Sequence, residues 1–394
     1  MDMKCKVCIL ILLVFASCQT RNNGESDTAI VPIRLDWDKV VDELDYSSMV
    51  EDSVLVIPLE TRDDCLIGEM TKMVYQNNLI YVSDNVSKAI YVFDETGKLV
   101  TKLRAVGNGP GEYLNITSFV VRGTDIVIYD HFASRLLFYN AKGEFIKTED
   151  AKDVWGMDIV SLGDKIWFVN DGGRLERGFY HLFSVNADKA GEHDAFLPFQ
   201  DPGEQGWGTD DYIAPLKDEA LFYYFPFDTL YTLKDNKAYP SYVVDFGKKR
   251  LPQQYIHADG RTALKAAIRD HYIGGVDRVV QSDNYIFILF SDCIDSYTAI
   301  YDKRTGGTII TKDLFNKKLG DLALQLNFRY IIQDENIIQY YPIEHWNVQV
   351  EYGDPTIIDK QELYSEHLRR QYREFQQMDG TECNPVVFIQ KLKK

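Results

Sequence analysis

One pattern recurs along this chain every forty to sixty residues, and it constrains the fold more than any other feature. The clearest copies are Ile80–Val100 and Ile126–Ile146. In each copy a strand-like segment ending in an acid (IYVSD, IVIYD) is followed by a polar loop, a second apolar segment, a tight glycine turn and a third segment. Four-stranded units at this spacing are typical of β-propeller blades. The repeat therefore predicts an all-β propeller and places any site in its loops.

The glycine turns have a physical explanation. In DETGK and NAKGE, the side chains of Asp94 and Asn140 can bond the backbone just ahead of them, and Gly97 and Gly143 can then take the positive φ of a hairpin with a bulge. DKRTGG at Asp302–Gly307 is a third copy.

We expect six blades of four strands. The segments NIIQYY (336–341) and PVVFIQKL (385–392) belong to the last blade, and VLVIPLE (54–60) supplies its outer strand. N- and C-terminal strands would then close the ring, which removes exposed sheet edges. Seven blades is the alternative, because the last two segments could belong to separate blades. Apolar spacing also predicts two short helical insertions, at Gly260–Tyr272 and Asp359–Met378.

Composition narrows the class of partner. The chain has 25 Tyr and 21 Phe, which favour strands, and 43 Lys+Arg against 60 Asp+Glu give a net charge of −17. A surface this acidic repels phosphate backbones and anionic head groups, so we expect no nucleic-acid partner.

The first residues indicate export. Lys4 and Lys6 precede ten mainly apolar residues, too few to span a bilayer, so residues 1–17 are predicted to be a signal peptide. The end VFAS before Cys18 resembles a bacterial lipobox, which predicts lipid attachment at Cys18; an ordinary signal with an incidental cysteine is the alternative. We expect a polar tether and lead-in strand over 18–52 and the propeller over 53–394. The lipid would be the only membrane attachment, and Gln19 is compatible with the outer membrane, facing either the periplasm or the cell surface.

Three cysteines remain in the predicted mature chain beyond Cys18, namely Cys65, Cys293 and Cys383. An odd number leaves at least one thiol unpaired. Cys65 and Cys383 flank segments that meet if the ring closes, so a disulfide between them is one hypothesis, and buried thiols are the other.

A family resemblance rests on several motifs. Residues 107–146, beginning GNGPGEY, resemble an NHL repeat, although the usual proline after the aromatic residue is absent beyond Tyr113. The order of IPLET (57–61), GNGPGEY (107–113), YVVDFG (242–247) and NPVVFIQKLK (384–393) resembles the six-bladed β-propeller lipoproteins of Bacteroidota, within the TolB-like propellers. The resemblance covers nearly the whole mature chain. It implies the fold and an envelope location, and no general activity.

Loops between the second and third strands, and those between blades, should open on one face around the channel. This face is expected to collect alternating carboxylates and cations, namely Asp84, Lys88, Glu112, Asp130, His131, Arg135, Asp171, Arg174, Asp228 and Asp292. They could bind a polar ligand or a metal. The favoured alternative is that each Asp pairs with the following Lys or Arg and holds its loop. The glycines around Glu112 precede a strand and not a helix, so they indicate a rigid turn between blades and not a phosphate site.

The loop 200–212 is the strongest candidate for recognition. Trp207 lies between glycines, with Asp210, Asp211 and Tyr212 after it, and a tryptophan beside carboxylates is suited to stacking on and hydrogen-bonding sugars. The alternative is that Trp207 packs on the edge of a blade.

No linear motif indicates catalysis. Seven histidines show no H-E-x-x-H, and there is no G-x-S-x-G elbow, so we assign no catalytic residue, no metal ligand and no cofactor. We therefore expect a non-catalytic, lipid-anchored binding or scaffold protein of the envelope, with a glycan or a protein as ligand. A metal-dependent hydrolase or lyase with its site at the channel mouth is the alternative, because carboxylates from different blades leave no linear motif. An assembly factor that uses a blade edge is a third possibility.

Overall fold

The computed structural model describes residues 29–152, 154–170, 178–199, 212–256, 258, 260–320, 330–342, 363–375, 377–378 and 383–394. These residues form six small sheets of four or five strands around a central channel. The prediction of an all-β, six-bladed propeller is confirmed, and the seven-bladed alternative is wrong.

Three short strands precede the first complete blade: β1 (Val31–Arg34), β2 (Val41–Asp45) and β3 (Leu55–Pro58). Blades 1 to 3 follow in chain order, each an antiparallel sheet. Blade 1 contains β4 (Met70–Gln76), β5 (Leu79–Asp84), β6 (Ala89–Asp94) and β7 (Leu99–Leu103). Blade 2 contains β8 (Ser118–Arg122), β9 (Asp125–Asp130), β10 (Arg135–Tyr139) and β11 (Phe145–Asp150). Blade 3 contains β12 (Asp158–Leu162), β13 (Lys165–Val169), β14 (Tyr180–Asn186) and β15 (Lys189–Pro198).

Blades 4 to 6 incorporate the three N-terminal strands. Blade 4 contains β16 (Ile213–Leu216), β17 (Glu219–Phe222), β18 (Thr229–Lys234) and β19 (Lys237–Asp245), and β1 adds a parallel fifth strand. Blade 5 contains β20 (Arg278–Gln281), β21 (Tyr285–Ser291), β22 (Ser296–Asp302) and β23 (Thr308–Phe315), with β2 as a parallel fifth strand. Blade 6 contains β24 (Tyr330–Gln333), β25 (Asn336–Tyr341), β26 (Val386–Lys391) and β3.

Ring closure follows the predicted arrangement. β3 pairs antiparallel with the C-terminal strand β26, with Pro58 opposite Val386 and Leu55 opposite Ile389. The first strand of every blade (β4, β8, β12, β16, β20, β24) lies at the channel. The middle strands β5 and β6 are almost wholly buried because neighbouring blades cover both of their faces, whereas the outer strand β11 is half-buried or exposed throughout.

The propeller begins earlier than the predicted boundary at residue 53. From Val31 onward, the stretch expected to be tether and lead-in strand contributes β1 and β2 to blades 4 and 5. Between them the indole Nε1 of Trp37 donates to the carbonyl of Phe246 at 3.0 Å, and the ring packs edge-on against Phe290 and Tyr297. This segment fastens two adjacent blades together.

The predicted turn chemistry is confirmed. The Asp94 carboxylate accepts from the backbone N–H groups of Thr96 (2.8 Å) and Lys98 (3.1 Å), and Gly97 has φ +82°. Gly97 also approaches blade 6 so closely that a Cβ there would lie 2.0 Å from the carbonyl oxygen of Pro58. Only glycine satisfies both conditions.

Three helices occur in the described residues: α1 (Gln253–Ile256), α2 (Gly260–Asp270) and α3 (Glu366–Phe375). α2 and α3 confirm the two predicted insertions, with narrower bounds. α3 buries Leu368, Tyr372 and Phe375 against Val386 and Phe388 of blade 6. No helix in the described ranges is both long and apolar enough to span a bilayer.

Candidate functional site

A channel of about 700 Å³ runs between the six inner strands. We call the end at which β4, β8, β12, β16, β20 and β24 begin the mouth face. Loops joining the second and third strands of each blade open at this same end. The volume lies within the range of about 300–1,000 Å³ that small-molecule sites occupy.

Three carboxylates at the ends of second strands, those of Asp84, Asp130 and Asp292, stabilise the loops at the mouth face. Asp84 accepts from the backbone N–H groups of Gly68, Glu69 and Ser87 at 2.6–3.1 Å. Asp130 accepts from those of Leu114 (2.8 Å) and Ala133 (3.2 Å). Each carboxylate joins its own loop to the incoming connection from the previous blade, as a buried charge requires.

Asp292 occupies the equivalent place in blade 5. Although its burial acts to raise its pKa, the backbone N–H groups of Asp295 and Ile294 and the Lys249 ammonium hold the pKa of Asp292 below its usual range. The expected pairing with a following cation occurs in blade 2, where Arg135 lies 3.7 Å from Asp130. In blade 1 it does not, because Lys88 donates to the Leu114 carbonyl instead.

Glu112 is part of a rigid turn, as its glycines indicated. The Glu112 carboxylate accepts from the backbone N–H of Gly109 at 2.7 Å, and a Cβ at Gly107 would lie 2.1 Å from that carboxylate. Arg135 donates to the Glu112 carbonyl at 2.7 Å. Both side chains therefore hold the connection between blades 1 and 2, and neither points to a ligand.

The most distinctive polar group at the mouth face joins three inner strands. The Lys72 ammonium (β4) lies 2.7 Å from an Asp158 oxygen (β12) and 3.0 Å from the Ser118 hydroxyl (β8), which itself donates to Asp158 at 2.6 Å. Lys72 and Asp158 are about a quarter exposed. We call Lys72, Ser118 and Asp158 the mouth triad.

None of the three residues of this triad was predicted from the sequence as a site residue. Its members are 46 and 86 positions apart and come from three blades, so no linear spacing links them. The sequence feature that could have indicated the triad is a polar residue near the start of each of three apolar inner strands, in MTKMVYQ, ITSFVV and MDIVSL.

An aromatic group adjoins the triad. The His131 ring packs on Trp155 at 4.2 Å and on Phe132 at 5.7 Å, and Phe132 is 71% exposed. The His131 backbone N–H donates to Thr117 Oγ1 at 3.1 Å, and Thr117 precedes Ser118 of the triad. His131 is half-buried and positions its loop, and Phe132 presents its ring to solvent.

The remaining predicted residues have different outcomes. Tyr212 is buried and stacks on Tyr224 at 5.9 Å, so the structure places it in the core between blades; its contact with a ligand stays a prediction. The others, for which the structure offers no description, are Cys18, Asp171, Arg174, Trp207, Asp210 and Asp211.

Cys65 is a thiol, so the disulfide with Cys383 that was considered is not formed. Cys65 is fully buried and its Sγ lies 3.2 Å from the Glu60 carbonyl, which favours the alternative of buried thiols. Across the described residues, no three His, Cys, Asp or Glu side chains are grouped so that they could hold a metal ion.

Fold and mouth face together define a six-bladed β-propeller with a polar cluster at one end of its channel. The chain belongs to the family of the domain of unknown function DUF4934, whose model matches residues 30–391. This match begins where β1 begins, which agrees with the earlier start of the propeller.

Among solved structures, a presumed exported protein from Bacteroides fragilis NCTC 9343 is similar, with a TM-score of 0.70 and 18% identity over 93% of this chain and 100% of that one. A DUF4221 member from Bacteroides vulgatus ATCC 8482 has a TM-score of 0.47 and 14% identity, covering 88% of this chain and 98% of its own. The likeness to the B. fragilis protein supports the fold. No curated protein matches the chain.

Proposed function

We propose that this protein is an exported, lipid-anchored binding protein of the bacterial envelope that takes its ligand at the channel mouth and does not transform it. The observation that carries the proposal is the mouth triad. A half-buried ion pair contributes little to stability, because desolvation offsets much of its attraction. Its position across three blades, at the opening of a channel, is better explained by recognition of a ligand.

The proposed location rests on the N-terminal sequence. Residues 1–17 have the length and charge of a signal peptide and Cys18 ends a lipobox-like sequence, and the description of the B. fragilis neighbour as exported is compatible with this. Metabolic labelling with radioactive palmitate in a bacterial host tests the anchor. The wild type should incorporate label and Cys18→Ala should not; equal labelling would refute lipid attachment at Cys18.

Binding is tested by thermal unfolding of residues 19–394 with oligosaccharides, peptides, and Ca²⁺, Mg²⁺ or Zn²⁺ with and without chelator. A ligand at about a hundred times its Kd should add about 2.7 kcal/mol of stability. The variant Lys72→Met/Asp158→Leu should fold, since apolar replacements of an ion pair are tolerated, and should lose the shift. A shift that is equal in both proteins would place binding elsewhere.

The same samples test whether the protein is an enzyme. Mass spectrometry of the bound compound after prolonged incubation should return it unchanged. Conversion that depends on a metal and stops with chelator would replace our proposal with the hydrolase alternative.

A further inference from the structure

The mouth triad has chemistry that narrows the class of ligand, if the channel mouth is the binding site as proposed above. The Lys72 ammonium gives its three hydrogens to Asp158, Ser118 and the Ile159 carbonyl, and the Ser118 hydroxyl donates to Asp158, so the group presents the remaining acceptor sites of the Asp158 carboxylate to a ligand. The charges of Lys72 and Asp158 cancel at 2.7 Å, so the group does not select for an ion. A neutral compound with hydroxyl groups can donate to this carboxylate.

The aromatic group provides the second half of such a site. Phe132 presents an exposed ring, and the His131–Trp155 contact at 4.2 Å fixes the loop that bears it. Met157, which is 48% exposed, lies between Trp155 and Asp158 and lines the channel. An apolar surface beside a few placed polar groups suits a ligand with apolar ring faces and polar edges.

The other blades provide an internal comparison. The turns after Asp84 and Asp292 present Val86 and Ile294 at the same position as Phe132, with exposures of 71% and 61%. All three positions are exposed, so the fold does not require an aromatic residue there. The turn that bears the aromatic ring is bonded to Thr117, next to Ser118 of the mouth triad.

We infer that the mouth binds a neutral oligosaccharide, with a sugar ring stacked on Phe132 and a sugar hydroxyl donating to the Asp158 carboxylate, which Lys72 and Ser118 hold in place. Neutral sugars satisfy both halves of the site at once. Inorganic anions lack the apolar face, and apolar peptides bring no donor for the Asp158 carboxylate, so its desolvation costs binding free energy.

Isothermal titration calorimetry on residues 19–394 tests this inference. The probes are neutral hexasaccharides (laminari-, manno-, xylo- and cellohexaose) and anionic ones (hexagalacturonate and chondroitin sulfate hexasaccharide). We expect a neutral probe to bind. Phe132→Ala should weaken it about tenfold, and Asp158→Asn about tenfold or more, through a lost stacking surface and a lost charged acceptor.

Ile294→Ala is the matched control, because Ile294 occupies the same turn position in blade 5, away from the triad. The affinity of the Ile294→Ala variant for the neutral probe should stay within about twofold of the wild-type affinity. Phe132→Ala removes an exposed side chain, so folding is retained and loss of binding reports the contact itself.

Three results would overturn the inference: no neutral probe binds, an anionic probe binds more tightly, or the Phe132 and Ile294 variants lose equal affinity. These are separable from failure of the proposed function. If no sugar binds but another class gives a shift that Lys72→Met/Asp158→Leu abolishes, the glycan inference fails and the binding site stands. If no class of compound gives such a shift, both fail.

Discussion

Replacement of Trp37 by alanine tests whether the N-terminal segment is part of the propeller. Trp37 lies between β1 and β2, and its contacts reach both blade 4 and blade 5. Its ring meets Phe290 at 6.1 Å and Tyr297 at 5.5 Å, both edge-on, and the Lys249 ammonium lies 4.4 Å from its centroid. Its Nε1 donates to the Phe246 carbonyl at 3.0 Å.

These contacts set the expected magnitude. Two edge-on aromatic pairs contribute about 2 kcal/mol, the cation–π contact about 0.5–1 kcal/mol and the hydrogen bond about 1 kcal/mol. Trp37→Ala should therefore lower the free energy of unfolding by about 3–4 kcal/mol. Trp37→Phe keeps an aromatic ring and loses the N–H donor, so it should cost about 1–1.5 kcal/mol.

The assay is urea unfolding of residues 19–394 at 25 °C, followed by far-ultraviolet circular dichroism. The midpoint should fall in the order wild type, Trp37→Phe, Trp37→Ala, at an unchanged slope. A loss below about 1 kcal/mol for Trp37→Ala would refute the reasoning. The residues before 53 would then behave as the tether that the sequence suggested.

Three further results are expected. Asp130→Ala leaves two backbone N–H groups without their acceptor, so it should lower the free energy of unfolding in urea by about 3–5 kcal/mol. As a control, Asp63→Ala at an exposed position should lower it by under about 0.5 kcal/mol. Equal losses of stability in the two variants would contradict the structural role of Asp130. Burial lowers the pKa of His181 to about 4 from 6.5, so the unfolded chain takes up the proton first. The contribution of His181 to stability should be full above pH 6.5 and fall by about 3 kcal/mol towards pH 4, so the difference in unfolding free energy between wild type and His181→Phe should change by that amount over this range; a difference that does not vary with pH would contradict it. The exposed Cys293 should react with a maleimide in the folded protein, whereas the buried Cys65 should react only in denaturant. Burial, and then the nearby carboxylates, raise the pKa of Cys293, so its reaction should become faster as the pH rises and the thiolate forms. A count of fewer thiols than cysteines after unfolding would indicate a disulfide.

The fold was largely predictable because its elements repeat. Blade 1 and blade 2 share turn residues at the same spacing, and the apolar segments 54–60 and 385–392 each need a partner strand, so closure of the ring followed. The strands β1 and β2 were not predictable in the same way. VPIR and VDELD are short and mostly exposed at the outer edges of blades 4 and 5, so they lack the apolar period on which strand prediction depends.

The candidate site was less accessible to sequence reasoning. Residues that lie together in one loop, such as Gly107, Gly109 and Glu112, can be interpreted from their spacing, and the rigid turn was anticipated. Lys72 and Asp158 meet only because three inner strands converge on the channel, and their 2.7 Å contact depends on the radius of a closed ring. Tyr212 also shows that the sequence of a polar loop does not reveal which of its residues are buried, because this aromatic side chain packs in the core.

The repeats themselves separate structural from functional positions in the mouth loops. Asp84, Asp130 and Asp292 make the same backbone bonds in three blades, which means that the carboxylate is required wherever this turn is built. Two residues later the side chain is exposed in all three blades and differs in each, so the turn places no demand on it. Because the fold does not constrain the side chain at this position, a residue that binds a ligand can occupy it without loss of stability. Phe132 is the aromatic residue among these three tips, and its loop is bonded to Thr117, next to Ser118 of the mouth triad. For this reason we propose that ligand recognition occurs at Phe132 and the triad, and not at Asp84, Asp130 and Asp292.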